Sequence, residues 1–144
     1  MTVIRGTIRT GAAPVRWARL TAVRHGDVTV GHGHADERGE FTVVITDTGS
    51  LPPPAPSTID IDLRIIAPDP AAPPPVDPLD RYADLVAEPV TRPSNPPQPA
   101  ELDNPVLRGT AIPAGYRPNT ALVPMLTIPV GAELSLTDPI PFSA

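Results

Sequence analysis

The sequence predicts an all-β fold: a small sandwich, a long proline-rich extended segment after it, and additional edge strands toward the C-terminus. Three observations carry this expectation. Ala35-Asp36-Glu37-Arg38-Gly39-Glu40-Phe41 is a polar turn ending in glycine that opens the apolar run Phe41–Ile45, a hairpin signal. Thr58–Ile66 alternates strictly, with Ile59, Ile61, Leu63 and Ile65 on one face and Asp60, Asp62 and Arg64 on the other. Finally, 23 of the 144 residues are proline. Proline lacks the N–H donor and fixes φ, so a chain this rich in it cannot be built on long helices or wide central sheets.

The strands follow in order. Val3–Arg9 alternates, with Ile4, Gly6 and Ile8 facing inward. A turn over Thr10–Pro14 leads to Val15–Arg24, where Ala18, Leu20 and Ala22 share a face. After the turn at His25-Gly26-Asp27 come Val28–Val30 and the hairpin. Thr46–Ser50 ends the fourth strand, and Leu51–Ser57, with four prolines, reads as a loop. Thr58–Ile66 should fix the register, because a one-residue slip would expose all four of its apolar side chains. Their burial is worth roughly 6–12 kcal/mol before entropy is set against it.

Residues 1–67 therefore read as the sandwich domain and 68–105 as a proline-rich arm. Pro68–Pro99 holds eleven prolines, and no sheet can run through it. Within the arm a short helix is expected over 78–87, with Asp77 as N-cap, Pro78 at the first helical position, and Leu79, Tyr82, Leu85 and Val86 on a stripe. The rest should be polyproline-like and semi-rigid. Over 106–144 strands return at Val106–Ile112, Thr120–Val130 and Glu133–Thr137, completing the sandwich or docking on a partner. Pro113, Pro118, Pro124 and Pro129 confine them to edges.

With these strands placed, the first two-thirds resembles the carboxypeptidase regulatory-like family, the transthyretin-like or prealbumin-like Greek-key sandwich. Gly6 matches the glycine of the family's first strand and Pro14 its turn proline. Ala18-Arg19-Leu20 matches the second strand, Ala35–Phe41 the Thr-Asp-x-x-Gly-x-Phe hairpin, and Thr58–Ile66 the later strand. Ala35 replaces the usual threonine, and the proline segment is foreign to the pattern. The resemblance implies a non-catalytic module for adhesion, structure or ligand contact.

Composition narrows the function. A net charge of −5 offers no concentrated positive field, so nucleic acid is not an expected partner. No apolar run approaches the ~20 residues of a membrane span, and no signal peptide opens the chain, so cytoplasmic synthesis is expected. All eleven basic residues are arginine, as codon bias in a bacterial or phage genome would produce. Without cysteine there is no disulfide framework, thiolate nucleophile or thiolate metal site. The serines lack a glycine-flanked elbow. Tyr82 and Tyr116 lie away from the histidines, unlike the iron ligands of the related intradiol dioxygenases. An enzyme is not expected, and no cofactor is.

Two groups have ligand chemistry. His32 and His34 share a strand face with Asp36 two residues on, a spacing that can hold zinc. An exposed strand running into a polar turn explains the same residues, and the expectation is no metal. Trp17 faces away from Ala18 and Leu20 and could stack a sugar, although such a residue more often packs under a loop. Arg5, Arg9, Arg16, Arg19 and Arg24 make the N-terminal strands basic while the middle of the chain is acidic, an asymmetry that could steer contact between copies. The function expected is a structural or interaction protein that self-associates or joins other subunits, as in a phage tail or tail-like particle. A carbohydrate-binding module is the alternative.

Overall fold

The hairpin over residues 35–41 closes on its own polar groups. In the computed structural model, which describes residues 1–46, 57–90, 94–99 and 103–144, the Asp36 carboxylate accepts the backbone N–H groups of Arg38 and Glu40. The Asp36 carbonyl accepts the N–H of Gly39 at 3.1 Å. Gly39 sits at φ +74°, and a Cβ there would lie 2.6 Å from the Ile8 carbonyl oxygen. Both facts demand glycine. Gly39→Ala is therefore expected to destabilise by roughly 2 kcal/mol or more, from left-handed strain plus the clash. Urea denaturation checks this; an unchanged midpoint would mean the hairpin tip does not press on Ile8.

The architecture is all-β. The strands are β1 (Thr2–Thr10), β2 (Ala13–Pro14), β3 (Arg19–Arg24), β4 (Val28–Ala35), β5 (Glu40–Ile45), β6 (Thr58–Pro68), β7 (Tyr116–Pro118), β8 (Leu126–Pro129), β9 (Glu133–Ser135) and β10 (Ile140–Pro141). They form one curled, mainly antiparallel sheet in the order β10-β1-β5-β4-β3-β6-β7, with β2 and β9 on β1 and β8 on β6. Gly6 pairs with Phe41 across β1 and β5, and the Phe41 ring lies in the space a Gly6 side chain would take, 3.0 Å from its Cβ position. β6 keeps the predicted alternation, with Ile59, Ile61, Leu63 and Ile65 buried and Asp60, Asp62 and Arg64 exposed.

The C-terminal stretch ties the two edges of this sheet together. At one end the turn from β8 to β9 bonds both edges. Val130 N–H donates to Ser57 of β6's approach, Val3 N–H to Ala132, and Gly131 N–H to the buried Thr2 hydroxyl. At the other end Asn119, just after β7, donates to the Pro141 carbonyl and accepts from Ser143 N–H. β9 and β10 run parallel to β1. The core accordingly draws on Ile128, Ile140 and Phe142 as well as Ile4, Leu20, Val43 and Ile61. Residues 1–67 alone leave this core open.

Several expected elements differ. Strand Val15–Arg24 shortens to β3, because Trp17 takes a left-handed φ of 58° that breaks the extended run. Thr120–Val130 and Glu133–Thr137 reduce to β8 and β9. Val106–Ile112 is not a strand: Gly109 N–H bonds Val106 and Thr110 N–H bonds Pro105, local turns that consume the donors a ladder would need. The helix expected over 78–87 is a chain of turns. Asp77 and Asp80 carboxylates each accept an N–H two residues on, from Leu79 and Tyr82. Such side-chain bonds compete with helix. The turn and loop expected over 46–57 lie, from residue 47 to 56, outside the described residues, as do 91–93 and 100–102 of the arm.

Candidate functional site

The corner between β2 and β3 gathers the richest chemistry in the molecule. The left-handed turn at Trp17 points three successive features toward one patch: the Arg16 guanidinium, the indole, and Arg19 at the start of β3. Tyr116, opening β7, fixes the corner by donating its hydroxyl to the Trp17 carbonyl at 2.8 Å. Arg19 lies over the Tyr116 ring, 5.7 Å from its centre. The Tyr116 side chain is buried, and burial raises its pKa against the opposing pull of Arg19.

Across this patch lies residues 77–88 of the arm, here called the strap. Arg16 donates from Nε and one terminal nitrogen to the two Asp84 carboxylate oxygens, at 2.6 and 2.7 Å, and the same terminal nitrogen reaches the Arg81 carbonyl. Arg19 donates to Glu88 at 2.6 Å and to the Ala111 carbonyl at 2.9 Å. Paired donors on paired acceptors are the strong form of this contact. Tyr82 lies against the indole of Trp17, ring centres 5.9 Å apart, and Arg16 stacks on the same indole at 5.4 Å. Arg81 adds a longer pair to Glu37 at 3.6 Å.

Asp84 is the one residue of the strap that is buried, at 6% exposure. A carboxylate taken out of water must be paired or protonated. The hydrogen bond from Arg16 dominates and holds the Asp84 carboxyl below its usual range, with desolvation opposing and the nearby indole assisting. The indole Nε1–H falls short of a hydrogen bond: it is buried and has no partner among the described residues.

The sequence-predicted candidates fall in three places. Trp17 is half-buried and flanked by Tyr82 and Arg16 rather than presented as an open stacking face. His32 and His34 are exposed on β4, pairing in register with Val44 and Thr42. Partial desolvation, despite that exposure, and the neighbouring Arg19 cation lower the His34 pKa. Asp36 spends its carboxylate on the hairpin turn, and among the described residues no group of three His, Cys, Asp or Glu is placed to hold a metal. Arg16 and Arg19, read from the sequence as part of a basic cluster, are neutralised by the chain's own strap, and Arg5 by Glu133.

Asp84, Glu88 and Tyr116 were missed as site residues. The only signal was the opposite charge of the two regions, and nothing local says which carboxylate meets which arginine. Beside the Arg16–Asp84 pair, an apolar groove of about 260 Å³ runs between the β2 end and the arm, walled by Ala13, Pro14, Val15, Pro70, Pro74 and Val76. Compared with family models, with curated proteins and with solved structures, the chain has no match.

Proposed function

We propose that this chain is a non-enzymatic subunit or accessory of a larger protein assembly, of the kind represented by a phage tail or tail-like particle. The carrying observation is where its uncovered apolar side chains lie. Of the twelve large hydrophobic residues exposed among the described residues, ten fall between Val76 and Val130, and only Met1 and Val28 lie outside. Leu79, Leu122, Ile112 and Met125 are 96, 89, 70 and 67% exposed. Single exposed apolar residues are ordinary on any surface. Their concentration in the segment that wraps the sheet, while the sheet's own face is covered, suits a surface that other subunits cover.

The module carrying that segment is read as a prealbumin-like sandwich. The spatial order β6-β3-β4-β5, three hairpin-linked strands with the fourth returning beside the first, supports a Greek key. The tight approaches at Gly6, against the Phe41 ring, and at Gly39, against the Ile8 carbonyl, are compatible with that reading. Velocity sedimentation of a native lysate, with detection of this chain across the gradient, tests the proposal. Travel with a large particle, lost on Leu79→Asp plus Leu122→Asp, is the expected result. A chain found only at the top of the gradient overturns it.

A further inference from the structure

The strap is fastened in an unusual way for a segment of its length. Among the described residues, no backbone hydrogen bond joins residues 70–90 to the sheet; their backbone bonds are local turns. The hydrogen bonds that do reach across come from the side chains of Arg16 and Arg19. No apolar side chain from 70 to 90 is buried. Two arginines three residues apart thus hold two carboxylates four residues apart, and Tyr82 seats on Trp17. A fastening of this kind is set by charge pattern, and it is indifferent to which copy supplies the strap.

We infer that the surface made by Arg16, Trp17, Arg19 and Tyr116 accepts residues 77–88 from a second copy of this chain, so that neighbouring copies exchange straps. This rests on the assembly reading above and names the contact between its copies. Three features favour a second copy as the occupant. Every polar contact has the same chemistry in cis and in trans, so exchange sacrifices only the tether. The flank from Asp69 to Asp77 contains Pro70, Pro73, Pro74 and Pro75; it opens with a turn in which Asp69 accepts the Ala71 and Ala72 N–H groups, and drawn out it would reach roughly 25 Å, at ~3.1 Å per residue. The outer side of the strap leaves Val76, Leu79 and Leu85 exposed at 58, 96 and 51%, and a neighbouring copy alongside would cover them.

Closure in cis has an effective concentration in the millimolar range, so an isolated chain keeps its own strap. Exchange becomes competitive where copies are held side by side. Charge reversal removes the cis competitor. In Arg16→Glu the body repels its own Asp84, and in Asp84→Arg the strap is repelled by its own Arg16. Mixed, the two variants offer two complementary pairs, but only between chains.

The experiment is sedimentation equilibrium and native mass spectrometry of each variant alone and of the equimolar mixture. The expected result is monomers alone and a 1:1 heterodimer on mixing, with a single chain carrying both changes monomeric again. A mixture that stays monomeric while both variants keep the wild-type far-ultraviolet spectrum overturns the inference. The parallel set Arg19→Glu and Glu88→Arg gives the same reading if the first set does not fold. Particle association of the wild-type chain without heterodimer formation would sink strap exchange alone; heterodimers without a particle would sink the assembly reading.

Discussion

Ile61→Ala is expected to lower stability by about 2–5 kcal/mol, a drop of roughly 5–15 °C in thermal midpoint for a chain of this size. Ile61 is fully buried. β6 is bonded on both sides at this residue, to Arg24 of β3 and Leu126 of β8. The backbone is therefore pinned and cannot move in to fill the cavity. Few large side chains could compensate, since Phe41 and Phe142 are the only phenylalanines and the rest of the core is aliphatic. Asp62, the next residue, faces water, and Asp62→Ala should stay within about 0.5 kcal/mol. Thermal unfolding of both variants checks the contrast. Equal losses would mean that β6 is out of register, with its apolar face not in the core.

That contrast was legible in the sequence because it is local. A period of two over Thr58–Ile66 and a glycine-closed turn over Ala35–Phe41 each need only adjacent residues to be recognised, and both appear where expected. What could not be read depends on partners distant in the chain. Val106–Ile112 has strand-like composition, but Pro105 and Gly109 favour turns, and the N–H groups of Gly109, Thr110 and Ala111 close local bonds instead of a ladder. The strap carries a plausible helical stripe, yet a helix of that length needs its apolar face covered, and Leu79 projects fully into water. The side chains of Asp77 and Asp80 then satisfy the backbone as turns. The pairing of Arg16 with Asp84 spans 68 residues, and charge alone says only that the two regions attract. The closing of the sheet by Asn119 and by the β8–β9 turn has the same cause: single polar bonds between distant segments leave no periodic trace.

Arg16→Ala is expected to free the strap while leaving the sheet folded. A buried carboxylate that loses its partner would cost about 3–5 kcal/mol if it stayed buried. The strap has an easier course, because no apolar side chain between 70 and 90 is buried. Undocking returns Asp84 to water and limits the loss to the docking energy of the strap, so the global midpoint should shift by less than that of Ile61→Ala. The local effect is large. Trypsin cleavage after Arg81, whose carbonyl the wild-type Arg16 holds, should speed up at least tenfold, corresponding to ~1.4 kcal/mol of lost protection. Trp17, the only tryptophan, should shift its emission to the red as Tyr82 leaves.

Acidification tests the same latch without mutation. The Asp84 carboxyl is held below its usual range in the folded chain, so the unfastened strap binds the proton more readily than the docked one. The docking energy is then fully present above about pH 4 and falls away as the pH drops through the lowered value. Wild-type Trp17 emission should move toward that of Arg16→Ala over this range, sooner at high salt, where the partly exposed pairs are screened. Arg16→Ala itself should show no such step. Unchanged cleavage and emission in Arg16→Ala at neutral pH would mean that the strap is held by something other than its two arginines, and strap exchange set by charge pattern would fall with it.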